Sequence, residues 1–478
     1  MRKTRLRRVG AVVLGLSLVA AACGGDDDDE STGTDVETTA AASTETTAAP
    51  ETTEAAAEET TTSAAASGDT EGALAGMKGT TPLVKLSDDF VAQLQETPTA
   101  KATPFTDPNY AGETYDAITI VALATEIAKS DGIEYASEIQ GVTRDGEKCA
   151  DFASCKALID AGTDIDYDGK SGNITLNGVG EPQEASYGVL TFGDTNRILD
   201  GQEGREDTRE YIPATASAAA DVPPVAVEGT RAGDGVLKIG GLLPQTGSLA
   251  FLGPPEFAGA ELAIADINEA GGVLGVPVEW LPGDSGDTST DIASQTTDRL
   301  LGENVDAIIG AASSSVSLTV IDKIVAAGVV QFSPANTSNA FTDYPDKGLY
   351  FRVAPPDVLQ GNLIGQLVAD DGNSSAYILA LDDAYGTSLA EVITDTLEQS
   401  GVELVGTKIY DPKATSFDAE VDEIKSLNPD AIVLITFDEG SRILRTMVEA
   451  GIGPSAKNVY GCDGNMGNAL GENFDTGK

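Results

Sequence analysis

The sequence predicts an α/β protein with two lobes, each built on a parallel sheet flanked by helices. Three observations predict it. The chain's 478 residues exceed the roughly 250–300 that a single hydrophobic core usually serves. From Val236 onward, short β-rich apolar runs alternate with amphipathic helical stretches of ordinary length, the rhythm of parallel strand–helix units. Finally, Tyr460 to Lys478 opens as a strand and turn and then stops, while Glu71 to Pro82 starts abruptly after a polar tract. Joined tail to head, the two make one uninterrupted half-domain, so they are expected to share one lobe.

The first element is an address. Arg2, Lys3, Arg5, Arg7 and Arg8 form a basic head, and Val9 to Ala22 is an apolar run too short to span a bilayer. Ala20, Ala21 and Ala22 directly before Cys23 resemble a bacterial lipobox, with Ala20 where Leu is more usual. Residues 1–22 then read as a lipoprotein signal peptide and Cys23 as the lipidated residue. That would hold the protein at the outer face of the cytoplasmic membrane, or in the periplasm, without a transmembrane helix. An ordinary secretory signal is the alternative. Residues 23–72 are Asp, Glu, Thr, Ala and Ser with almost no large apolar residue, which predicts a disordered tether reaching roughly 40 Å.

The first globular piece, 73–212, contains an apolar helix over Tyr115 to Lys129 and a strand over Tyr187 to Phe192. Residues 213–235 are rich in Ala, Pro and Val without periodicity and read as a linker. The second piece, 236–478, begins with a buried strand over Val236 to Leu243 and a turn over Pro244 to Ser248. Pro254 and Pro255 suit a helix start; Phe257, Ala260, Ile264 and Ile267 then fall on one face, and Gly271-Gly272 stops the helix. Strands follow over Val276 to Leu281, Asp306 to Gly310, Val329 to Ser333, Ala376 to Leu381, Leu404 to Ile409 and Ala431 to Ile435. Tyr350 to Pro355 is extended and breaks the rhythm, as a crossover would. The lobes are accordingly placed at about 236–353 and 357–478.

Charge and composition exclude several functions. Lys and Arg total 29 against 77 Asp and Glu, a net charge of −48, which repels nucleic acid and anionic headgroups. Histidine is absent, removing the commonest general base and metal ligand. Gly283-Asp-Ser-Gly286 imitates a serine nucleophile string but has no histidine to serve it. Asp164, Asp166, Asp168 and Gly169 copy the start of a calcium loop, yet its twelfth position is Thr175 rather than Glu. Gly271 to Gly275 is a helix stop, not a phosphate loop. No cofactor, no metal and no enzymatic activity are expected. Cys149 and Cys155, six positions apart, suit a local disulfide in an oxidising compartment. Cys462 then remains as a small buried residue.

Several segments resemble the type I solute-binding proteins of bacterial ABC transporters, in particular the leucine/isoleucine/valine-binding family. Gly240 to Gly253, Asp266 to Gly275 and Phe332 to Thr337 look like that family's N-terminal portion. Thr114 to Ala117 and Asp164 to Gly169 look like its C-terminal portion. The order is exchanged, which implies a circular permutation in which 213–235 joins the family's original termini; a domain-swapped assembly is the runner-up arrangement.

In open α/β sheets ligands bind at the carboxyl ends of strands, and the turn Gly310 to Ser315 before a helix suits a carboxylate. By resemblance, Ser314 is the carboxylate contact, and Ala335 and Thr337 serve the ammonium and carboxylate. Tyr385 matches the pocket tyrosine, and Asp463 matches the acid that pairs with the ammonium, where the family often has Glu. Phe437 stands for a pocket aromatic. Leu252 lines the side-chain end, where many relatives carry an aromatic. The resemblance implies capture of a small amino acid, branched-chain or related, by lobe closure, and delivery to the permease of an ABC importer. A sensor of amides or amino acids in a signalling system is the alternative.

Overall fold

A computed structural model describes residues 70–199, 210–215 and 223–475. The expectations for the signal peptide, Cys23 and nearly all of the tether lie outside these residues.

Two main sheets organise the described chain. The larger runs, edge to edge, Glu403–Tyr410, Ser375–Leu381, Ala431–Ile435, Asn458–Gly461, Lys78–Pro82, Glu184–Thr191 and Glu210–Thr215. Its first five strands are parallel and its last two antiparallel. The smaller sheet runs Tyr350–Arg352, Val330–Ser333, Ala307–Gly310, Lys238–Leu242 and Glu279–Leu281, all parallel. A minor sheet joins Glu147–Cys149, Ile165–Gly169 and Gly172–Asn173. The continuous apolar run Ala431–Ile435 is buried at every position, because helices cover both faces of the parallel region.

Head and tail of the described chain meet inside the larger sheet. Lys78 stands opposite Tyr460 and Gly79 opposite Gly461 in a parallel ladder. A Cβ on Gly79 would lie 2.5 Å from the Gly461 carbonyl oxygen and from Met466, so the seam admits no side chain there. The Thr70 hydroxyl donates to the Phe474 carbonyl at 2.5 Å, and Arg197 pairs with Asp475 at 2.8 Å. Leu74, Met77, Tyr460, Met466 and Phe474 share one core. The order of the sheet therefore interleaves the two ends of the sequence.

The smaller-sheet lobe also draws on both pieces. Helix Ala111–Ala128 crosses helix Gly253–Glu269 closely enough that a Cβ on Gly259 would sit 2.2 Å from the Ala111 carbonyl oxygen. The disulfide Cys149–Cys155, S–S 2.07 Å, ties the minor sheet to helix Phe152–Asp160. Described segments crossing between the lobes are 83–87, 174–183 and 353–356. Segment 174–183 is tied to the end of strand Tyr350–Arg352 by a buried ion pair between Glu181 and Arg352.

Three expectations change. Residues 213–215 belong to the strand Glu210–Thr215, which pairs antiparallel with 184–189. It is an edge strand, where a proline such as Pro213 is tolerated. The remainder of the expected linker, from 223, lies along the smaller-sheet lobe: Glu228 N donates to the Lys347 carbonyl at 3.1 Å, and Arg231 pairs with Asp306 at 2.5 Å. Tyr350–Arg352 is an edge strand of the smaller sheet rather than crossover, so the crossover starts at Val353. The strand expected from Val276 begins only at Glu279, because Pro277 has no N–H to give a ladder.

Candidate functional site

Each sequence-selected site residue follows a strand at its carboxyl end or the loop after it. In the smaller sheet, Lys238–Leu242 leads to Leu252, Ala307–Gly310 to Ser314, and Val330–Ser333 to Ala335 and Thr337. In the larger sheet, Ser375–Leu381 leads to Tyr385, Ala431–Ile435 to Phe437, and Asn458–Gly461 to Asp463. All seven line a single small cavity of about 20 Å³ between the lobes, and all seven are buried.

Local hydrogen bonds fix the floor. Ser313, not Ser314, caps helix Ser314–Ala326, accepting from Val316 N at 3.4 Å. The Ser333 hydroxyl donates to the Ala311 carbonyl at 2.7 Å and accepts from Asn336 N at 2.9 Å. The Asn336 amide then donates to the carbonyls of Ala311 and Ala312 at 3.0 and 2.8 Å. These bonds lock the two loops that carry Ser314 and Thr337. The open-ended helix N-terminus beside them suits a carboxylate. Asp284, in the rejected nucleophile string, is a loop organiser instead: it accepts from Gln245 N, Thr246 N and the Thr246 hydroxyl at 2.9, 3.1 and 2.6 Å.

The opposite wall is acidic and aromatic. Asp463 accepts from the Tyr385 hydroxyl at 2.8 Å and from the Tyr110 hydroxyl at 2.7 Å, one on each carboxylate oxygen. Burial pushes its carboxyl up, opposed by hydrogen bonds from Tyr110, Tyr385 and Gln360. Burial, reinforced by the charge of Asp463, drives both phenols well above their ordinary range, so they remain protonated donors. The Tyr385 ring stacks on Phe437 at 5.4 Å and 11°, a flat apolar face beside the carboxylate. Behind Thr337, Asp357 N donates to the Thr337 carbonyl at 2.7 Å; burial pushes the Asp357 carboxyl up to about 7.

The lobes touch around this cavity. Ala384 N donates to the Ser315 hydroxyl at 2.8 Å, and Asn339 N donates to the Ser388 hydroxyl at 3.0 Å. On another side, Asp107 accepts from Asn468 N and its side-chain amide at 2.6 and 2.8 Å. Chemically, the cavity offers neutral donors at one end and a desolvated acid with an apolar wall at the other, which is what an amino acid's head group and side chain require.

Sequence reasoning missed Tyr110, Leu249 and Gly464, and placed Ala312 and Ser313 only within the turn Gly310 to Ser315; all five line the same cavity. Tyr110 takes the left-handed conformation, φ 60°, unusual for an aromatic. The sequence-predicted helix began only at Tyr115, so nothing local marked Tyr110. Cys149, Cys155 and the buried Cys462 do not line the cavity.

Residues 236–475 match the family described as periplasmic binding protein. The Leu/Ile/Val-binding protein homolog 7 of Brucella abortus is 28% identical over 230 residues, covering 46% of this chain and 57% of that protein. The Leu/Ile/Val-binding protein BraC3 of Rhizobium johnstonii is 27% identical over 200 residues, covering 41% and 53%. The chain thus spans somewhat over half the length of these curated relatives. Among solved structures, the branched-chain amino acid transporter substrate binding protein LivJ of Streptococcus pneumoniae, in complex with isoleucine, is 27% identical. It covers 50% of this chain and 67% of that chain, with a TM-score of 0.45.

Proposed function

The chain belongs to the periplasmic binding protein family, and from that premise we propose that it captures a small amino acid by closing two lobes and delivers it to an ABC importer. The observation that carries the reading is the acid wall of the cavity: Asp463, buried and held by Tyr110 and Tyr385, faces the helix start at Ser313 and Ser314. An ammonium would replace or join the phenols at Asp463, while the carboxylate takes the helix N-terminus and Thr337. Leu252 and Phe437 would face the side chain. No bond is made or broken, so the role is binding rather than catalysis.

The same reading places the protein outside the cytoplasm, anchored through lipidated Cys23, with permease subunits as its partners. Among the described residues no helix is long and apolar enough to cross a membrane. We also read the chain as a circular permutation: 73–212 completes both lobes, and the segment after Thr215 joins what would otherwise be two termini. The parallel pairing of Lys78–Gly79 with Tyr460–Gly461 supports this.

Isothermal titration of amino acids into the protein tests the function. Saturable binding is expected, with Asp463→Ala weakening it roughly a hundredfold or more while circular dichroism stays unchanged. Undiminished affinity in that variant would remove Asp463 from the site.

A further inference from the structure

Only Leu252 and one thin layer of chain wall the cavity at its apolar end. A second chamber of about 470 Å³ adjoins it, and Leu252 lines both. The rest of the partition is a single layer of chain. Asn109 and Ala250 face the chamber, while their sequence neighbours Tyr110 and Leu249 face the cavity. Phe105, Phe251 and Pro254 give the chamber apolar walls, and Asp107 and Glu472 place carboxylates in its lining. Both lobes build it: Ala469 and Glu472 come from the larger-sheet lobe, and Asp107 is bonded across the cleft to Asn468.

We infer that the ligand's side chain extends past Leu252 into this chamber, so that the site selects amino acids with aromatic or comparably long apolar side chains. The inference rests on the amino-acid reading and goes beyond it by naming the side-chain class. With the ammonium at Asp463 and the carboxylate at Ser313–Ser314, the side chain points toward Leu249 and Leu252, the residues that separate the two volumes. A side chain the size of valine ends against Leu252. An aromatic ring displaces the Leu252 rotamer and gains the apolar surface of Phe105 and Phe251. Acidic side chains are rejected, because Asp107 and Glu472 line the volume they would enter.

The test is calorimetric titration of phenylalanine, tryptophan, leucine, valine, alanine and glutamate into the full-length chain and two variants. Ala469→Phe fills the chamber from a position that does not line the cavity; Leu252→Trp plugs the passage and serves if the first variant unfolds. The wild-type chain is expected to bind phenylalanine or tryptophan at least about tenfold more tightly than valine. Ala469→Phe erases that preference and leaves valine affinity in place. In Leu252→Trp the ratio of phenylalanine to alanine affinity falls about tenfold or more. A wild-type chain that binds leucine or valine best overturns this inference alone, as does an Ala469→Phe variant that keeps the aromatic preference. A chain that binds no amino acid at all overturns the underlying reading too.

Discussion

Replacing Glu181 with alanine should strand a charge in the middle of the molecule. Arg352 is 0% exposed and Glu181 2%, and their ion pair joins the crossing segment 174–183 to the end of strand Tyr350–Arg352. The Arg352 guanidinium also donates to the Ser338 carbonyl at 2.8 Å and lies 5.8 Å over the Phe341 ring, while its Nε has no hydrogen-bond partner among the described residues. Without Glu181 the guanidinium keeps only neutral acceptors. Removing one member of a buried pair costs about 3–5 kcal/mol, because the survivor is uncompensated. Replacing both with apolar residues of similar size, as in Glu181→Leu with Arg352→Met, should cost far less. Urea unfolding followed by circular dichroism gives the comparison, read as a midpoint shift at constant slope. Ligand affinity should fall with Glu181→Ala as well, since Ser338 adjoins the cavity residue Thr337. A cost below about 1 kcal/mol for the single variant, or a double variant no better than the single, would refute the reasoning.

Further outcomes are expected. Tyr110→Phe, which takes one of two phenolic donors from the buried Asp463, should destabilise the free protein by about 1–3 kcal/mol; urea unfolding checks it. Gly79→Ala should destabilise by about 1–3 kcal/mol through overpacking at the head-to-tail seam, measured by the same unfolding curve. Burial raises Glu113 from 4.5 to about 8, and Glu256 well above its ordinary range, with neither Glu256 oxygen hydrogen-bonded among the described residues. The folded state therefore holds protons that the unfolded chain releases above 4.5. Stability should fall as pH rises from there toward 8, and Glu256→Gln should flatten that slope in unfolding curves taken across the range. Reducing Cys149–Cys155 should cost about 2 kcal/mol, the entropy of a short closed loop, seen by unfolding with and without dithiothreitol.

The cleft's location was legible because strand ends carry it, while the individual residues were assigned by family resemblance. Runs such as Ala431–Ile435, apolar at every position since both faces are covered, locate the sheet, and the residues just beyond them locate the cleft. What escaped was long-range partnership. The bond from Tyr110 to Asp463 spans 353 residues, and no local pattern encodes it. Ser313 was readable as a helix cap, yet its neighbour Ser314 was preferred, and both line the cavity. The antiparallel end of the larger sheet was hidden for a different reason: Pro213 made the second half of its last strand resemble a linker, although an edge strand tolerates proline.

The seam between Lys78 and Tyr460 has a consequence for how the protein is made. As the polypeptide emerges from the ribosome, Lys78–Pro82 can pair with Glu184–Thr191 about a hundred residues later, but its other flank must wait for residues synthesised almost four hundred positions later. Until then that flank is an open β-edge, a template for any strand nearby. Closure at such separation is slow. Nascent or refolding chains at high concentration should therefore capture one another's tails, and dilution should favour the self-closed form.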